Sequence, residues 1–202
     1  MKHLLTGMLS ATVLCTGLSA NAASPDISWN FISVGYAKAN IEIADDFTIK
    51  PDGYQLKASY LLSDTLYVSA SYFDVSEPYQ FSDIAGLELE ASEFTLSLGL
   101  RQAATDNIDA FFEAGFGRSI AGISEFAKEN DNGAHAAAGF RYRAAPRLEL
   151  AAAVRYSKAG DDNSTFGDLS ARARLSSMFD LYASYLFDSD VSLVATGVVV
   201  NF

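Results

Sequence analysis

Leu66-Tyr67-Val68-Ser69-Ala70-Ser71-Tyr72 alternates apolar and small polar residues one by one. A period of two is that of an extended strand, whose successive side chains point to opposite faces. The same alternation recurs in nine further segments, with apolar residues on one face and Ser, Gly, Arg, Glu or Lys on the other. That polarity is inside out. A soluble barrel turns its apolar face inward, whereas here the second face carries too much charge for a dry core and can only enclose water or an ion-paired interior. The apolar face is then left to meet lipid.

The segments fall near 30–42, 53–62, 65–75, 91–102, 108–118, 133–143, 147–157, 167–176, 179–187 and 191–202. Short connections at Ser63-Asp64, Ala103 to Asn107, Ala144 to Pro146 and Ser177-Met178 alternate with longer, acidic ones at 43–52, 76–90, 119–132 and 158–166; Asp188-Ser189-Asp190 is short for its place. No segment after the N-terminus has the ~18 consecutive apolar residues of a membrane helix. Closure of a sheet on itself is the other way to satisfy every backbone polar group in hydrocarbon. The expected fold is therefore all-β: a closed antiparallel up-and-down transmembrane β-barrel of ten strands. Eight is the alternative if the first or last hairpin is not wall.

Residues 1–22 read as a signal peptide: Met1-Lys2-His3, an interrupted apolar run from Leu4 to Leu18, and Ala20-Asn21-Ala22 before the cleavage point. Cys15 lies inside that run without the small preceding residue of a lipid-anchoring site. The remainder, 23–202, is expected to be a single domain without cysteine, which excludes disulfides and thiolate metal sites. Removing the segment's one lysine takes the net charge from −11 to −12, which argues against a nucleic-acid partner.

On this register the outer face carries no charge, and its aromatic residues gather toward segment ends. Tyr60, Tyr142 and Phe202 lie toward the turns, and Tyr54, Tyr72, Phe94, Phe116, Tyr156 and Phe187 toward the loops, the pattern of two headgroup-level girdles. The inner face carries Lys57, Arg101, Arg141, Arg143, Arg155, Arg172 and Arg174 against Glu93, Asp109, Glu113, Glu149 and Asp168. In a lumen this narrow, filled largely by side chains, such charges persist only when paired. Lys57, Glu93, Arg101, Glu113, His135, Arg141, Arg155, Arg172 and Arg174 are thus expected to knit the lumen into a charge network. The other reading is that they leave a narrow, weakly selective water path.

Signal segment, alternating short and long joints, and the terminal Val198-Val199-Val200-Asn201-Phe202 resemble the small Gram-negative outer-membrane barrels of the OmpA-like and OmpX-like superfamily. The resemblance covers 23–202 and is architectural. It implies an outer-membrane location and, for Val198, Val200 and Phe202, a signal read by the barrel-assembly machinery after passage with periplasmic chaperones. It also brings in lipid A-modifying enzymes as a third class. A deacylase needs a Ser activated by a His that a carboxylate orients. The segment after the signal has only His135, with no serine close in sequence, so no catalytic residue is expected.

Metal and cofactor sites are not expected either. Asp45-Asp46, Asp161-Asp162-Asn163 and Glu129 to Gly133 lack the long alternating oxygen set and distal bidentate Glu of a calcium loop. Acidic loops above an anionic lipopolysaccharide leaflet would repel it unless magnesium or calcium bridges the two. Apolar loop residues, among them Tyr79, Phe81, Ile84, Leu87, Ile120, Ile123 and Phe126, read as upward extensions of the wall, since Leu87-Glu88-Leu89-Glu90 continues the next strand's alternation. The expected role is that of a monomeric structural or surface-interacting barrel, with a small porin-like channel as the alternative.

Overall fold

The computed structural model describes residues 27–44, 47–79, 87–123, 127–160 and 162–202. The expected signal segment 1–22 lies outside them, as do Asp45, Asp46, Phe81, Ile84, Phe126 and Asp161 of the connections.

One antiparallel sheet contains β1 (Phe31–Ala44), β2 (Phe47–Ile49), β3 (Asp52–Leu61), β4 (Leu66–Tyr79), β5 (Leu87–Thr105) and β6 (Ile108–Ile123). It continues through β7 (Ala127–Ala145), β8 (Leu148–Ala159), β9 (Asp162–Arg174), β10 (Phe179–Phe187) and β11 (Val191–Asn201). From β3 to β11 each strand pairs with the next, β3 pairs with β1, and β1 closes on β11 from Phe31↔Asn201 to Ile41↔Val191. Ten strands make the wall, first and last hairpins included. β2 is an addition that the alternation does not reveal: three residues paired with the upper end of β1, beyond the Lys38↔Asp52 level at which the β1–β3 ladder ends.

The walls are taller than the sequence-derived segments. β5 and β7 are 19 residues each, against the ~9–11 that a bilayer requires. Most of the expected loops 76–90, 119–132 and 158–166 are strand, with the β4–β5 ladder continuing to Tyr79↔Leu87 and the β6–β7 ladder to Ile123↔Ala127. Asp and Asn at 130–132 read as loop, yet at a solvated height their side chains cost a strand little. Gly160 turns β8 into β9 with φ 58°, a left-handed conformation that glycine adopts freely. At the other end, Ser63 and Ser176 hold their turns by accepting hydrogen bonds from the amides of Leu66 and Phe179, each at 3.1 Å.

The reversed polarity is direct. Phe140 is 57% exposed and its neighbour Arg141 6%; Leu98 is 54% exposed and Ser97 4%. The exposed apolar side chains run continuously around the barrel, far beyond the few hundred Å² of apolar patch a soluble monomer carries. Tyr54 packs on Tyr72 at 5.9 Å and Phe94 on Phe116 at 6.2 Å toward the loop side, while Tyr60 stacks on Phe202 at 6.4 Å toward the turns. Tyr142 and Tyr156 are exposed, and Phe187 stacks on Tyr185 at 5.0 Å. Because the walls continue upward, Phe94 and Phe116 sit part-way along their strands rather than at the ends.

Candidate functional site in the lumen

Odd-numbered positions of β3 to β8 and even-numbered positions of β9 and β10 fill the barrel. Lys57, Glu93, Arg101, Glu113, His135, Arg141, Arg155, Arg172 and Arg174 all face inward. They do not form one network but stand at three heights.

Side chains fill most of the turn end. Ile27 and Trp29, just before β1, turn into the lumen and are each 4% exposed. The Trp29 indole donates to Asp109 Oδ2 at 2.8 Å, packs on Tyr67 at 4.6 Å and carries the Arg141 guanidinium over its face at 4.3 Å. Arg141 donates from Nε and Nη2 to Glu149 Oε1 at 2.8 and 2.6 Å, and from Nη2 to the Ser28 carbonyl at 2.8 Å. Arg101 pairs with Asp109 at 3.5 Å and donates to the Asp64 carbonyl at 2.9 Å. Arg174 lies 3.7 Å from Asp180, which also accepts from Asn201 Nδ2 at 2.9 Å. Charge pairing and an indole over a guanidinium together hold the N-terminal segment in place.

Sequence reading did not single out Trp29 or Asp180. The signal was available: Ile27, Trp29, Phe31 and Ser33 share one parity, so the inward face of β1 begins before the strand does. Asp180 sits on the same parity as Tyr182 and Ser184.

Above the plug lies a polar chamber of about 150 Å³. Arg155 and Asp168 approach to 3.4 Å there, and Glu113 accepts from Tyr67 Oη at 3.0 Å and Ser69 Oγ at 2.9 Å. Among the described residues, Lys57 and Arg172 have no carboxylate within ion-pairing distance; Arg172 lies 3.8 Å over the Phe31 ring instead. On the opposite wall, His135 of β7 meets Ser97 of β5 with Nε2 and Oγ 2.6 Å apart. His135 is six residues up β7 from Arg141, so the two stand at different heights, and the His finds its partner across the β5–β6–β7 wall. Its Nδ1 is buried with no hydrogen-bond partner among the described residues. A Ser–His pair without an orienting carboxylate lacks the third member on which nucleophilic activation depends.

The loop-end interior is divided. Glu93 and His135, with Arg118, Asp131 and Asn163, line a polar cavity of about 130 Å³. Ile41, Phe73, Val75, Leu186 and Leu193 line another of about 120 Å³, which Gln55 and Glu93 also border.

Residues 53–197 match the model of the family described as protein of unknown function, DUF481. No curated protein matches the chain. Among solved structures, the COG4313 outer membrane channel from Pseudomonas putida F1 aligns with TM-score 0.56 at 13% identity, covering 93% of this chain and 100% of that one. The NanC porin aligns with TM-score 0.51 at 10% identity, covering 85% and 99%. Ail, the attachment invasion locus protein of Yersinia pestis, aligns with TM-score 0.47 at 18% identity, covering 85% and 97%. At such identities the likeness is one of fold: that of the small outer-membrane β-barrels.

Proposed function

The chain belongs to the DUF481 family, and we propose that it is a monomeric barrel of the Gram-negative outer membrane with a structural or cell-surface role, its lumen shut rather than conducting. The observation that carries this reading is the turn-end plug. Trp29 and Ile27 occupy the lumen where a pore needs an exit, and Arg101–Asp109 and Arg141–Glu149 fill the space around them. A buried, hydrogen-bonded ion pair is costly to open, since separating its partners strands a charge. Walls rising well above the apolar belt offer a surface for contact with lipopolysaccharide bridged by divalent cations.

A narrow channel is the second reading. It is favoured by the polar chamber and the loop-end cavity, which share lining residues, and by a turn-end crevice of about 10 Å³ beside Arg147 that shares Glu149 and Arg172 with the chamber. Catalysis is not part of the proposal: among the described residues, no carboxylate orients the Ser97–His135 pair. Planar-bilayer recording on refolded residues 23–202 tests the proposal. A silent bilayer, with lipid A mass unchanged on expression, is expected; resolved, reproducible conductance steps would overturn the closed barrel in favour of the channel.

A further inference from the structure

We infer that the loop-end half of the lumen is a binding site for a single-chain anionic amphiphile, its carboxylate on Lys57 and Arg172 and its alkyl tail along the apolar upper wall.

The head position follows from charge. Four cations line the polar chamber (Lys57, Arg141, Arg155 and Arg172) against three acids (Glu113, Glu149 and Asp168). Arg141 and Glu149 pair off, as do Arg155 and Asp168. Lys57 and Arg172 are within ion-pairing distance of none of these acids: Glu113 already accepts from Tyr67 and Ser69, Asp180 lies with Arg172 in a turn-end crevice without pairing to it, and Glu93 stands higher, in the adjoining cavity. Arg172 Nη1 and Arg155 Nε are buried donors without a hydrogen-bond partner among the described residues. Buried donors of this kind are expected to be satisfied, and a bound carboxylate supplies the missing acceptor for both.

The tail position follows from polarity. In a barrel of this class the interior is polar, yet Ile41, Phe73, Val75, Leu186 and Leu193 point inward at the loop end. Their cavity is continuous with the chamber, since Lys57, Ser71, Arg155 and Asp168 line both. Lys57 pairs with Ser71, and Phe73 and Val75 stand two and four residues above it on β4. Four residues at ~3.3 Å each give about 13 Å from the head to the level of Val75, the length of an alkyl chain of about eight to ten carbons. A mostly apolar vestibule, with Glu93 and Gln55 on its wall and cations at its floor, suits an amphiphile better than an inorganic anion, which gains nothing from the upper wall, or an alkane, which leaves Lys57 and Arg172 unpaired. The assignment goes beyond the closed-barrel reading and does not rest on it, because the head and tail positions lie above the turn-end plug.

Trp29 is the chain's one tryptophan and lines the same chamber as Lys57 and Arg172, so it reports on the head. The test is fluorescence quenching on residues 23–202 refolded into phosphatidylcholine nanodiscs. 2-Bromooctanoate, brominated beside the carboxylate, is expected to quench Trp29 saturably and more strongly than 8-bromooctanoate. Unlabelled octanoate should displace it about tenfold better than hexanoate, from two lost methylenes. Lys57→Met and Arg172→Met should each weaken binding at least tenfold, and Leu193→Gln should weaken octanoate several-fold while leaving acetate unaffected. Equal quenching by the two bromo isomers, acetate competing as well as octanoate, or 1-bromooctane binding as tightly as the acid would each overturn the assignment. If the cation variants do not refold, the isomer comparison and Leu193→Gln decide it alone.

Discussion

Trp29 and Asp109, 80 residues apart in the chain, meet at the turn end of the barrel, where the indole Nε1 donates to a carboxylate that is 0% exposed. That contact ties a segment outside the ladder to β6 and closes one mouth of the lumen. Trp29→Ala removes the hydrogen bond, the Tyr67 and Phe111 ring contacts and the surface beneath Arg141. Loss of about 3–5 kcal/mol is expected, as for other large-to-small changes at buried aromatic sites. The measurement is urea unfolding in lipid vesicles. In planar bilayers the same variant is expected to show conductance steps that the parent lacks, and a variant as silent as the parent would mean that the arginine pairs alone seal the barrel.

Arg141 and Glu149 form an enclosed pair, with side chains 7% and 12% exposed and Nε and Nη2 at 2.8 and 2.6 Å from one oxygen. Arg141→Met strands a carboxylate, and Glu149→Leu strands a guanidinium that already caps Trp29. Each single change is expected to cost about 3–5 kcal/mol, while the double variant recovers a large part of the sum, because no lone charge remains inside. Urea midpoints of the four proteins give the coupling directly; strict additivity would show that the pair contributes no interaction of its own.

Parity made most of this molecule legible in its sequence. Phe140 and Arg141 are adjacent, yet one faces hydrocarbon and the other the lumen, and a period of two forces that outcome wherever the strand is assigned at all. Strand height was not legible. Asn130, Asp131 and Asn132 carry the composition of a loop, but above the bilayer a ladder such as Ser119↔Asp131 exists without apolar neighbours. Partners across the lumen were equally hidden, since they depend on shear and twist: His135 shares a face with Arg141 but bonds Ser97 of a strand two removed. Ser97 is for that reason enclosed, 4% exposed, although its face is the polar one. Trp29 escaped notice because it precedes the first strand, where alternation has no second strand to pair with.

Leu98 lies on the outer face of β5, 54% exposed and flanked in the ladder by Val68 and Ala114. At this depth Leu98→Arg is expected to cost ~2–4 kcal/mol, and Tyr156→Arg in the loop-side girdle ~0–1 kcal/mol. Vesicle-based unfolding of both variants checks the depth assignment, and equal losses would misplace the belt.

Phe202 is 63% exposed, stacks on Tyr60 and donates its amide to the Asn30 carbonyl at 3.2 Å. Those contacts are peripheral to the lumen, so deleting the residue is expected to leave refolding in detergent nearly unchanged. If Val198, Val200 and Phe202 act as the assembly signal, the deletion should lower outer-membrane levels in cells several-fold. Immunoblots of membrane fractions distinguish the two effects, and normal levels would reduce Phe202 to an aromatic anchor.

Gly99 couples the wall to the plug. A Cβ at that position would lie 2.2 Å from Cζ of Tyr67, so the ring rests flat on the glycine backbone of the neighbouring strand. Tyr67, 2% exposed, in turn supports Trp29 and donates to Glu113 at 3.0 Å. Gly99→Ala must push the ring off the wall, and with it the indole above; a loss of ~1–3 kcal/mol is expected from such overpacking. The sign reverses once the ring is gone. In a Tyr67→Ala background nothing opposes the new methyl group, and replacing a strand glycine should then be neutral or stabilising by ~0.5–1 kcal/mol. A double-mutant cycle read by urea unfolding, with Gly99→Ala shifting Trp29 emission red in the parent but adding no shift in the Tyr67→Ala background, isolates the steric coupling from any general intolerance of β5 to substitution. Equal destabilisation in both backgrounds would place the constraint in the backbone rather than in the tyrosine that holds the plug.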